Sequence, residues 1–200
     1  MDGADPGQAR GESAGPSLGA ALVAGLLVAA GLASPAIAEL RPWSDGAEPA
    51  FTLPSLDHGC VHLEDQRGRV VLVHFFATWC EPCRPEMASL QRLAERYERR
   101  PVTILAVDVA EVEPRIRRFF AAQPVSFAIL LDADRSVTRT WKVESLPTTF
   151  VLDPSLTPRL VTEGDLDWDH PAVDRAIGML LTGQDEVDAT IDSSTEERNP

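Results

Sequence analysis

Val73-His74-Phe75-Phe76-Ala77-Thr78-Trp79-Cys80-Glu81-Pro82-Cys83-Arg84-Pro85-Glu86-Met87 decides how this chain reads, because it joins a buried-strand pattern to a cysteine pair and a helix. The residues leading into it, Val70 to Phe76, form a near-continuous β-branched and aromatic run, the mark of a strand covered on both faces of a sheet. Beyond the cysteines, Met87, Leu90, Leu93, Ala94 and Tyr97 recur three and four apart with Arg and Glu between them, which predicts an amphipathic helix. The spacing starts that helix at the first cysteine, Cys80. A sulfur in that position meets unsatisfied amides and the positive end of the helix dipole, which stabilise a thiolate. Cys80 therefore reads as an exposed nucleophile. Cys83, one turn on and more buried, reads as the thiol that resolves a mixed disulfide, and two intervening residues let one turn close the bridge.

Other chemistries fit the pair poorly. Half of a zinc site needs a second Cys or His pair, and only Cys60 and the scattered His58, His62, His74 and His170 are on offer. Haem attachment needs a histidine directly after the second cysteine, where Arg84 stands. Cys60, in the polar stretch Leu56-Asp57-His58-Gly59-Cys60, reads as a free surface thiol at a hairpin tip.

Working outward, Phe51-Thr52-Leu53 and Val61-His62-Leu63 flank a Gly-containing turn, as a small hairpin does. Downstream, Val102 to Val107 and Phe127 to Leu131 read as strands, with a short helix around Ile116, Phe119 and Phe120 between them and another helical turn or two at Val137 to Trp141. Thr148 to Leu152 and Arg159 to Thr162, joined by Asp153-Pro154-Ser155, read as a second hairpin. A last helix, carrying Ala172, Val173, Ala176, Ile177, Leu180 and Leu181, is expected to end at Gly183. The alternation of strands and helices predicts an α/β domain over residues 51–182. Residues 183–200 read as an acidic disordered tail, and residues 39–50 as a linker rich in Pro and acid.

From Ser13 to Ala38 no residue is charged, and an apolar run from Leu18 to Ala33 precedes the small-x-small pattern Ala36-Ile37-Ala38. Residues 1–38 read as an export signal cut after Ala38 or as an uncleaved membrane anchor. The segment before the run carries Asp2, Asp5 and Glu12 against Arg10, a departure from the usual positive start. Both readings place the domain outside the cytoplasm, where a pair of cysteines in a chain of three suits a redox task better than a stapled scaffold. The net charge of −13 argues against nucleic acid as a partner.

The segment from Val73 to Met87 resembles the active-site stretch of the TlpA/ResA/CcmG branch of thioredoxin-like proteins. The likeness extends from about Phe51 to Leu181: Leu146-Pro147-Thr148-Thr149-Phe150 resembles that family's cis-proline loop, and Gly164-Asp165-Leu166-Asp167-Trp168 its entry into the last helix. The resemblance implies a thioredoxin-like fold, a central mixed β-sheet with helices on both faces and an added N-terminal β-hairpin. It implies a cis Pro147 beside which the backbone pairs with a substrate chain as a short β-bridge. It also implies a thiol-disulfide oxidoreductase, held in the periplasm or on the outer face of the cytoplasmic membrane. Such an enzyme reduces protein disulfides, for instance in apocytochrome c or copper-site proteins, and is recharged by a membrane electron donor of the CcdA/DsbD type. No bound cofactor is needed beyond the Cys80–Cys83 disulfide.

The expected catalytic set is Cys80, Cys83, Glu86 and Pro147, and the expected substrate-docking set is Trp79, Glu81, Pro82, Leu146 and Thr148. Trp79 is expected to cover Cys80 and offer an apolar face, while Trp141 and Trp168 read as core or rim packing. Glu81 and Glu86 put two negative charges near the sulfurs and oppose thiolate formation, whereas Arg84 and the helix dipole favour it. Glu86 also matches an acid that tunes the cysteines in ResA-like members. His74, six residues before Cys80, reads either as a proton relay titrating near neutrality or as a neutral core histidine. The rival functions are a periplasmic oxidant of the same fold and a copper- or zinc-binding module using Cys80 and Cys83 as ligands.

Overall fold

All seven residues of the apolar run Val70–Phe76 are buried, and the strand they form lies inside a sheet that is eight-stranded among the described residues. The computed structural model describes residues 39–44, 50–57 and 59–195, with side chains described to 183. The signal or anchor segment 1–38, linker residues 45–49, His58 and the tail from 196 lie outside the described residues. In chain order the elements are β1 (Arg41–Pro42), β2 (Thr52–Ser55), β3 (Gly59–His62), β4 (Val70–Phe76), α1 (Cys83–Arg96), β5 (Val102–Val109), α2 (Glu113–Ala122), β6 (Ala128–Asp132), α3 (Ser136–Thr140), β7 (Thr148–Leu152), β8 (Pro158–Glu163) and α4 (Pro171–Thr195). No helix among the described residues is long and apolar enough to cross a membrane.

The strand order is β1-β8-β7-β4-β5-β6-β2-β3. β4, β5 and β6 run parallel, and the remaining pairs are antiparallel, so the sheet is mixed. Val70, Leu72 and Phe76 of β4 meet one apolar cluster with Met87, Leu90 and Leu93 of α1, Ile116 of α2 and Val173 and Ile177 of α4. The odd-numbered Val71, Val73 and Phe75 meet a second, with Val137 of α3, Trp141 and Phe51. Helices therefore cover both faces. The N-terminal hairpin β2–β3 is present and joins the sheet through Ser55 opposite Leu130 of β6.

Two segments depart from the sequence reading. The linker contains a strand: Arg41 and Pro42 pair with Val161 and Leu160 of β8, and the Trp43 ring meets the Phe150 ring edge-on at 5.1 Å. Pro42 is tolerated because β1 is an edge strand. α4 runs past Gly183 to Thr195. Gly183 is not among the residues with positive φ, so it makes no left-handed cap and remains a helical residue of weak propensity.

Candidate active site

Cys80 and Cys83 form a disulfide, with Cα atoms 5.4 Å apart, at the end of β4 where the chain turns into α1. α1 begins at Cys83 rather than Cys80, with Pro82 at its N-cap. Pro82 has no N–H and Pro85 falls in the first turn, where amides lack intrahelical partners, so both prolines suit a start at Cys83. The Cys80 N–H donates to Ala77 O at 3.1 Å, which closes the turn that holds Cys80 just outside the helix.

Cys80 is 4% exposed and Cys83 1%. The expectation of an exposed nucleophile is corrected to that extent, because both lie in the apolar cluster with Phe76, Ala77, Met87, Leu166 and Trp168, with Leu146 packed against it. Trp79 is exposed at 60%, its ring open to solvent beside the disulfide. Glu81 and Pro82 are exposed as well. Arg84 donates from Nε and Nη2 to Thr78 O, at 3.3 and 3.2 Å.

The Leu146–Pro147 peptide is cis. Thr148 opposite Phe75 sets this loop at the same end of β4 as the cysteine turn. Pro147 O already accepts from Gly164 N at 2.8 Å, whereas no backbone hydrogen bond among the described residues reaches Leu146. Thr148, expected in the docking set, is buried: its Oγ1 donates to Ser145 O at 2.8 Å, and its backbone sits between β4 and β8.

Beneath the disulfide lies a row of polar groups within the apolar cluster. Glu86 is buried, and its Oε1 accepts from the Trp168 indole Nε1–H at 2.7 Å. Burial pushes the Glu86 carboxyl up to about 8, against the Trp168 and Leu166 N–H groups that favour its ionised form. Glu86 is thus a neutral acid at pH 7 and not the negative charge expected. Trp168, read as packing, is also its hydrogen-bond donor. His74 is fully buried, with Nδ1 2.8 Å from Thr149 Oγ1 and 4.0 Å from Glu86 Oε1. Burial lowers His74 to about 3, so this close contact joins two neutral groups and His74 does not titrate near neutrality.

Sequence reasoning missed a second acidic site at the end of β5. Glu111 accepts from both the backbone N–H and the hydroxyl of Thr78, the latter at 2.7 Å, and so fixes the turn that leads to Cys80. Asp108 Oδ1 accepts from Glu111 N at 3.1 Å. An aspartate near the C-terminal end of an otherwise apolar strand, where open α/β sheets place their sites, was the available signal.

The family model for AhpC/TSA matches residues 46–157, more than half of the sequence. The chain belongs to the AhpC/TSA family. This AhpC/TSA member is 34% identical over 112 residues to the thiol-disulfide oxidoreductase ResA of Bacillus subtilis, a match covering 56% of this chain and 63% of that one. It is 33% identical over 118 residues to ResA of Geobacillus thermodenitrificans, covering 59% and 68%. The B. subtilis match thus spans less than two thirds of its relative's length. Among solved structures, a chain from Chlorobium tepidum assigned as thiol:disulfide interchange protein DsbE superposes with a TM-score of 0.63 at 28% identity, covering 67% of this chain and 94% of that one. The fold of this AhpC/TSA member is accordingly thioredoxin-like, as the sequence led us to expect.

Proposed function

We propose that the protein is an extracytoplasmic thiol-disulfide oxidoreductase that reduces disulfides in protein substrates through Cys80 and Cys83. The reading rests on one observation: a disulfide at the start of α1 lies beside the cis-proline loop, in an apolar setting with a neutral acid beneath it. Likeness to proteins named ResA and DsbE supports it.

In the reduced protein, the Cys80 thiolate attacks one sulfur of a substrate disulfide. The other substrate sulfur leaves as a thiolate and takes a proton. Cys83, deprotonated in turn, attacks Cys80 Sγ, which releases the second substrate thiol and leaves the Cys80–Cys83 disulfide. Two electrons and two protons pass to the substrate. Glu86 holds a proton close to this exchange, and the open backbone of Leu146 with the Trp79 ring offers a docking edge for an extended chain. The apolar setting of the pair suits a reductant rather than an oxidant.

A reductant outside the cytoplasm must be recharged by a dithiol donor, for which a membrane protein of the CcdA/DsbD type is the candidate, and apocytochrome c or a copper-site protein is the candidate substrate. Export or anchoring by residues 1–38 completes the proposal. The test is trapping: the reduced Cys83→Ser variant should accumulate a mixed disulfide through Cys80 with a disulfide-bearing protein, and adding Cys80→Ser should abolish it. Adducts that persist without Cys80, through Cys60, would refute the assignment.

A further inference from the structure

The carboxyl pair Asp108–Glu111 is not used in the exchange described above, yet it grips the turn that carries Cys80. Glu111 has a nearly buried side chain and receives two donors from Thr78, the N–H at Oε2 and the hydroxyl at Oε1. Both oxygens of Glu111 are thereby occupied as acceptors. Asp108 is 1% exposed; its Oδ1 takes the Glu111 N–H, and its Oδ2 meets no donor. Two ionised carboxyls, one with an orphaned oxygen, are unstable in so dry a place, whereas a single proton on the pair turns that oxygen into a donor.

The surrounding groups support a single-proton pair. β4 and β6 present Phe76 and Leu131 in register with Asp108, and neither is charged. Glu111 is the ionisable group that acts on Asp108, and from α2 the exposed Arg115 reaches Glu111 Oε1 at 3.4 Å. From α1, Arg84 holds the Thr78 carbonyl. Between the two acids the chain passes Ala110 at φ 64, a left-handed conformation that a non-glycine residue adopts only when held.

The geometry points to Asp108 as a positioning residue: the one proton the pair keeps holds Glu111 on Thr78, and its loss sets two negative carboxyls against each other and loosens the turn bearing Cys80. Burial, then Glu111, places the release near pH 8. The effect on exchange rests on the function proposed above; the clamp does not.

The test uses the full chain in its oxidised form, following the Thr78 amide by NMR from pH 6 to 10, with the rate of exchange with oxidised glutathione followed in parallel on the reduced protein. The Thr78 resonance should move with a midpoint near 8 in the natural protein and stay fixed in Asp108→Asn, whose amide remains neutral and can donate to Glu111. Glu111→Gln should displace the resonance at every pH. Relative to Asp108→Asn, the natural protein should lose exchange rate on the order of tenfold above that midpoint. A Thr78 resonance that is flat in the natural protein, or that moves equally in Asp108→Asn, overturns the proposal. So does a titrating clamp with exchange profiles that coincide between the two. A titrating clamp in a protein that exchanges with no disulfide at any pH would instead overturn the function and leave the clamp standing.

Discussion

At the level of single residues, the ionisation states below the disulfide decide what each group contributes. Glu86 is read from sequence as a charge, but burial favours its protonated form and outweighs the bond from Trp168. In the Asp108→Asn background, where the Asp108 titration is gone, replacement of Glu86 by Gln should remove the remaining component near pH 8 from the rate profile of exchange; a profile that keeps that component would exclude Glu86 as its source. Trp168→Phe removes a donor that favours the carboxylate, so the same component should move upward, on the order of one pH unit. A downward shift would contradict the role of that bond. His74→Asn should keep the profile, since the imidazole is already neutral throughout this range. Little of this was legible in the sequence. The spacing of Cys80, Cys83 and Glu86 is a local pattern. The burial of Glu86 depends on Trp168, which lies 82 residues away and arrives through the last loop of the sheet.

Elements explain which parts of the fold the sequence disclosed. β4 was legible because both of its faces are buried, so its whole length is apolar, and α1 because its apolar stripe repeats with helical period. The start of α1 was misplaced by three residues, since the periodicity says nothing about the first turn and only the placement of Pro82 and Pro85 does. β1 escaped notice because two residues have no period. Its hold comes from pairing with β8 and from Trp43 against Phe150. Trp43→Ala should lower stability by about 1–2 kcal/mol in thermal or denaturant unfolding. An unchanged midpoint would make β1 an incidental pairing. The paired acids at the end of β5 were hidden for a different reason: Asp108 and Glu111 read as ordinary polar residues until the sheet brings them against Thr78.

For the molecule as a whole, the buried acids govern stability against pH. Asp108 and Glu86 sit at about 8, above their ordinary 3.8 and 4.5, so each contributes stability that is complete below the ordinary value and is lost as pH rises through 8. His74, at about 3 against 6.5, acts in the opposite sense, its contribution being lost as pH falls below 6.5. Between 6.5 and 8 the two carboxyls are unopposed, each worth at most about 1.4 kcal/mol per pH unit, and the net charge of −13 adds self-repulsion. The melting temperature should therefore fall from pH 6.5 to 8, and less steeply in Asp108→Asn; a rise over that window would contradict the assigned protonation states. The burial of both sulfurs in an apolar cluster underlies the proposal that this protein is a reductant. Measuring the reduction potential of the Cys80–Cys83 pair in the full chain, with Cys60→Ser to prevent side reactions, tests it most directly. A value around −270 mV is expected of a reductant, and a value around −120 mV would instead make the protein an oxidant.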